Sequence, residues 1–105
     1  MTIYDERERA FETKFSRDQE LEFKITVRRD KLFGLWAADL ANLSGQSADV
    51  FARSVINAEI DHHSVVAKVG QDLRAMGHPI SDEQLHAKLA ELHELAREQV
   101  YKEQE

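Results

Sequence analysis

One proline and four glycines are all that punctuate 105 residues. Such scarce backbone breaking favours long helices. No segment alternates apolar and polar residues with period two for long enough to read as a strand. The length is that of one domain with one modest core. The chain has no cysteine, so neither disulfides nor thiolate chemistry is available to it. The expected fold class is all-α, a four-helix bundle-like domain with a long first helix.

The helix boundaries follow from caps and breakers. A first segment runs from about Asp5 to Asn42 and stops at Leu43-Ser44-Gly45, where Gly45 suits the left-handed position that ends a helix. Ser47 is placed to cap a second helix carrying Val50, Phe51, Val55, Ala58 and, at its end, Ile60. After Asp61-His62-His63, Ser64 can cap a third helix bearing Val65, Val66, Val69, Leu73 and Met76, closed by Gly77-His78-Pro79. Ser81 and Gln84 form a capping box ahead of a fourth helix, whose Leu85, Leu89, Leu92, Ala96 and Val100 make one apolar face.

The first segment is not uniform. From Leu21 onward, Leu21, Ile25, Leu32, Leu35, Trp36, Leu40 and Leu43 form a core face, and Gly34, Ala37, Ala38 and Ala41 are small enough for a neighbouring helix to approach closely. Before Leu21 charged residues dominate. A helix from Asp5 to Asn42 would be roughly 57 Å long, whereas the second and third helices reach only about 18 Å each. The charged end must overhang. Within it Tyr4, Phe11 and Phe15 fall on one side of a helical wheel, with Phe11 and Phe15 a direct i, i+4 pair. Three rings with no partner helix cannot offset the entropy of ordering this stretch. Residues 1–17 are therefore expected to form a mobile N-terminal arm, disordered or fraying when free, ahead of a four-helix domain at 18–105.

Charge narrows the partners. Fourteen basic against twenty acidic residues give a net charge of −6, which argues against nucleic acid and anionic membrane surfaces. No apolar run approaches the roughly 20 residues of a membrane span. The N-terminus is charged at once, without the apolar stretch of a secretory signal. A cytoplasmic protein with no direct membrane insertion is expected.

Two stretches resemble a known family. Asp5-x-Arg7-Glu8-x-x-Phe11-Glu12-x-Lys14-Phe15, continued by Asp18-x-Glu20-Leu21-x-Phe23-Lys24, is similar to the start of the alphaproteobacterial F-type ATP synthase zeta-subunit (ATPase inhibitor) family. The block Arg28-Arg29-Asp30-Lys31-Leu32-Phe33-Gly34-Leu35-Trp36-Ala37-Ala38 is the most specific part of the resemblance, which covers nearly the whole chain. It implies a non-enzymatic regulator of ATP hydrolysis that inserts its N-terminal segment as a helix into a catalytic interface of the ATP synthase head. The implied partners are the alpha and beta subunits, with gamma as a further contact, and the implied location is peripheral to the inner membrane through that complex. On this reading Tyr4, Asp5, Arg7, Glu8, Arg9, Phe11, Glu12, Lys14 and Phe15 are the inhibitory residues. The second helix ends Asn57-Ala58-Glu59-Ile60-Asp61-His62-His63 where relatives carry an acidic run.

The alternatives are weaker. His86 and His93 lie two turns apart, roughly 10 Å along a helix, too far to share one ion. No i, i+4 histidine pair exists, so no metal and no cofactor is expected, and partly buried histidines beside the leucine stripe are the plainer reading. No phosphate loop or nucleophile motif appears, so no catalytic residue is named. Lys24, Arg28, Arg29 and Lys31 form the one basic cluster, suited to phosphate or to an acidic partner. A nucleotide- or nucleic-acid-binding helical module without inhibitory activity is therefore the rival reading, with weak nucleotide binding left open and nucleic acid not expected. Trp36 lies within the apolar face and reads as a core anchor. The leucine stripe of the fourth helix spans too few heptads for a coiled-coil dimer, so a monomer is expected.

Overall fold

A computed structural model describes the backbone of residues 3–104 and the side chains of residues 16–104. Four helices follow in order: α1 (Ile3–Leu40), α2 (Gln46–Ile60), α3 (Val65–Ala75) and α4 (Asp82–Glu103). No strand occurs among the described residues, and the fold is all-α. The 38 residues of α1 set the long axis of a molecule measuring 64 × 25 × 22 Å. The 15 residues of α2 and 11 of α3 can accompany only part of it.

The first three helices stop by the same device. A residue turns into the left-handed region, and the next amide reaches back to a carbonyl five residues earlier. At the end of α1 that residue is Asn42 (φ 61), with the Leu43 N–H donating to the Ala38 carbonyl at 2.8 Å. At α2 it is His62 (φ 61), with His63 donating to Ala58, and at α3 it is Gly77 (φ 82), with His78 donating to Leu73. Gly45 therefore does not end α1 as the sequence suggested. Asparagine tolerates the left-handed turn well enough to end it three residues sooner. Gly45 (φ 57, ψ −130) instead opens α2, in a conformation open to glycine and without a side-chain cap, and Ser47 lies inside the first turn. The other two starts are as expected. Ser64 accepts from the Ala67 N–H, and Ser81 with Gln84 makes the full capping box.

Two buried clusters hold the helices. The larger joins all four: Phe33 and Ala37 of α1, Val55 of α2, Val65, Val66, Val69 and Leu73 of α3, and Leu85 of α4, with Trp36, Leu89 and Leu92 packed against it. The smaller lies nearer the N-terminal half of α1 and joins only α1 and α4, through Ile25, Ala96 and Val100 flanked by Leu21 and Leu32. Phe33, absent from the expected core face, is the bulkiest fully buried side chain among the described residues. It stacks on Trp36 with ring centroids 5.7 Å apart, and the Lys88 ammonium lies 5.7 Å from the Trp36 ring. Trp36 is thus half-buried at the edge of the core. Leu40, Val50, Ile60 and Met76, assigned to apolar faces by spacing, are exposed. The small residues of α1 serve as expected: a Cβ on Gly34 would lie 2.6 Å from the Ala52 Cα, so α1 and α2 meet nearly backbone to backbone there.

Candidate functional site

The residues from Tyr4 to Phe15 proposed for inhibition lie on the helical backbone of α1, and their side chains, like the expected mobility of the arm, fall outside the described residues. The next turn is described. Residues 16–20 are all exposed, and the first described side chain of α1 to pack on a buried cluster is the half-buried Leu21. Among the described side chains, the bundle grips α1 from residue 21 onward.

The basic cluster separates into distinct roles. Lys24 pairs with Glu20 on its own helix at 3.4 Å. Arg28 reaches α4, its Nη2 2.6 Å from Glu103 Oε1 and its Nη1 donating to Gln99 Oε1 at 3.0 Å. Lys31 is exposed and makes no ion pair among the described residues. Lys24, Arg28 and Lys31 line one groove of about 300 Å³ together with Phe23, Val100 and Glu103. Arg29 turns elsewhere, onto Asp30.

Asp30 is the one buried charged residue among those described, and the sequence reading passed over it. Arg29 donates from Nε to Asp30 Oδ1 at 3.0 Å, and its Nη2 also approaches Glu59 Oε1 of α2 at 3.6 Å. Asp30 Oδ2 is buried without a partner. Burial pushes the Asp30 carboxyl from 3.8 up to about 6, Arg29 pulls it back through its charge and hydrogen bond, and Glu59 adds a smaller upward push. Its position was legible in principle: Phe23, Val27, Asp30 and Gly34 stand at i, i+4, i+7 and i+11, one stripe of α1, so an acid inside that stripe signals burial.

The same stripe shows where α2 runs out. Gly34 touches Ala52 in the middle of α2, and Phe23 and Val27 share a groove with Glu59, Ile60 and His62 at its end. Phe23 and Ile60, the two most exposed large apolar residues among those described, at 62% and 57%, line that groove of about 390 Å³. A wider cleft of about 510 Å³ between α2 and α3 is lined by small and polar side chains such as Ser54, Asn57 and Ser64. No group of three or more potential metal ligands occurs among the described residues. His93 is half-buried beside the leucine stripe, but His86, expected to be partly buried there, is exposed. Among the described residues no helix is long and apolar enough to cross a membrane.

A small all-α protein with locally paired charges, a helix overrunning its own bundle and an apolar groove beside the overrun has the anatomy of a helical protein-binding module. The profile of the ATPase inhibitor subunit zeta family matches residues 1–99, and the chain belongs to that family. No curated protein and no solved structure matches it. Membership makes the chain a regulatory protein that associates with the ATP synthase.

Proposed function

We propose that the chain blocks ATP hydrolysis by the F-type ATP synthase by inserting residues 1–17 as a helix into a catalytic interface between alpha and beta subunits. The observation that carries this reading is the overrun: the helical backbone of α1 extends to Ile3, while among the described side chains residues 16–20 are exposed and the first packed on a buried cluster is Leu21. A helix without a covering partner has an apolar stripe to bury elsewhere, and a groove that closes during rotation supplies that burial. In the free chain the arm, residues 1–17, exchanges between helix and coil, and the bundle from residue 18 holds it near its target. The chain acts as a monomer at the inner membrane, on its cytoplasmic side. The rival nucleotide-binding reading is less well supported, since Arg28 and Arg29 are already engaged by carboxylates and Lys24 by Glu20.

Deleting residues 1–15 tests the proposal in an ATP-hydrolysis assay of the cognate ATPase. Inhibition should be abolished while the helical melt of the bundle is nearly unchanged. Phe11→Ala with Phe15→Ala should weaken inhibition by about 2–4 kcal/mol if both rings are anchors. A truncated chain that inhibits as strongly as the full one would show that the arm is not the inhibitor.

A further inference from the structure

Inserted as a helix, the arm becomes one end of a continuous rod, and the rod constrains what lies beside its target. α1 has no break between Ile3 and Leu40. Residues 17 and 23 are separated by six helical steps, about 9 Å along the axis at 1.5 Å each. A body that grips the arm as far as residue 17 must therefore pass within about one and a half turns of Phe23. At that place α2 ends and leaves an apolar groove uncovered, with Phe23, Val27 and Ile60 in its walls.

The groove has a sign as well as a shape. Its carboxylates are Glu22 and Glu59, and no lysine or arginine lines it. Glu59 is shared with Arg29 at 3.6 Å, whereas Glu22 is exposed and makes no ion pair among the described residues. Two large apolar side chains flanked by acids suit an apolar segment that carries lysine or arginine at its edge. The other groove that Phe23 lines is mainly basic, with Lys24, Arg28 and Lys31 against the single carboxylate of Glu103, so Phe23 stands between an acidic and a mainly basic flank.

We propose that the Phe23–Val27–Ile60 groove is a second docking surface, which takes an apolar helical segment with a basic edge on the same ATPase that holds the arm. This rests on the reading of residues 1–17 as the inserted segment. The two contacts divide the labour. The arm blocks the catalytic interface, and the groove raises the local concentration of the arm at that interface. Joined by a continuous helix, the contacts reinforce each other without a flexible linker.

The test uses the full chain carrying Phe23→Gln and Ile60→Gln, two exposed positions whose replacement leaves the core untouched, with melting by circular dichroism as the check on folding. Binding to the purified ATPase is measured by interferometry, and inhibition by titration of ATP hydrolysis. The double variant should bind roughly 10–100-fold more weakly, the range expected when one of two linked contacts is lost, yet still inhibit fully at saturation. Glu22→Lys, at a solvated rim, should weaken binding by about 3–10-fold at low salt and lose that difference in high salt. Unchanged affinity in both variants overturns the docking surface. If the double variant instead abolishes a concentration-dependent dimer in sedimentation while ATPase binding is unchanged, the occupant is a second copy and the proposal is wrong. The arm is judged separately. Deletion of residues 1–15 with inhibition preserved refutes insertion of the arm, whereas loss of full inhibition by the groove variant at saturation assigns the block itself to the groove and refutes the division of labour.

Discussion

The two ends of the bundle are built differently. At the end remote from the arm, all four helices contribute to one cluster, and Phe33 sits at its centre with no exposure. At the end near the arm, the buried cluster joins only α1 and α4, through Ile25, Ala96 and Val100. Polar contacts do more of the joining there: Arg28 to Gln99 and Glu103 across to α4, and Arg29 with Asp30 to Glu59 across to α2. Apolar burial is the stronger and less conditional glue, while ion pairs depend on pH and salt. Stability should therefore be concentrated away from the N-terminal end of α1, and the end of the bundle nearer to it should open locally at lower free energy.

The largest expected effect is at the four-helix end. Phe33→Ala removes a ring held in place by three other helices and should cost about 3–5 kcal/mol in chemical denaturation. Such a loss is a large share of the stability of a domain this size. Unfolding should remain global, without an early phase limited to one helix. A loss under about 1.5 kcal/mol would mean that the site collapses easily, and the contrast between the two ends would disappear.

Asp30 gives the contrast a pH dependence. Its folded carboxyl titrates at about 6, above its ordinary 3.8. The folded chain therefore holds more protons than the unfolded chain between those values, and stability falls as pH rises through that window. Below about pH 4 the contribution is fully present, and above pH 6 it has been lost. The size is on the order of 3 kcal/mol at 1.36 kcal/mol per pH unit. Asp30→Asn cannot take up the proton, so the stability difference between wild type and variant should shift against wild type from pH 4 to pH 7. The ¹³Cγ resonance of Asp30 reports the same event directly. A midpoint near 4 would show that water or Arg29 solvates the carboxylate well, and the arm-proximal end would lose its pH sensitivity.

Val100→Ala probes the smaller cluster. Two methyl groups and a partly relaxed cavity should cost about 2 kcal/mol. Because only α1 and α4 share the site, the effect should be local: amide exchange should accelerate in residues 96–103 more than in α3. Equal acceleration in α3 would show one cooperative core rather than two unequal ends.

Most of the helical layout was legible in the sequence because it rests on local chemistry. Ser64, Ser81 with Gln84, and Gly77 each act through bonds within a few residues. The misplacements have tertiary or competing local causes. Asn42 ended α1 where Gly45 seemed the better candidate, since both residue types reach the left-handed region and only the hydrogen bonds decide between them. Phe33 lies in a cluster shared by all four helices, and the apolar face assigned to α1 by spacing did not include it, whereas the stripe that holds Asp30 was legible but was not read. Phe23 and Ile60 are visible as apolar residues in sequence, but their shared groove exists only because α2 ends beside Phe23. The residues proposed for the arm rest on resemblance and composition. The role proposed for them depends on another protein's surface, which no intramolecular pattern encodes.

The smallest effect is expected where the contrast is most easily misread, at the ion pair between Arg28 and Glu103. Glu103 ends α4, where an acidic side chain faces the negative end of the helix dipole. Arg28, 2.6 Å away, offsets that unfavourable placement and ties the last turn of α4 to α1. Glu103 is 55% exposed, however, and Arg28 also has Gln99 as a neutral partner at 3.0 Å. Removing the charge relieves the dipole conflict as it removes the pair, so the two consequences partly cancel. Glu103→Gln should therefore change global stability by less than about 1 kcal/mol, and the change should shrink in roughly 0.5 M salt. The sensitive measurement is local: amide exchange in the last turn of α4 should accelerate, while that of the large cluster should not move. A salt-independent loss well above 1 kcal/mol would mean that this pair fixes α4 against α1 as firmly as apolar packing does. The arm-proximal end would then be as strongly held as the end it was contrasted with.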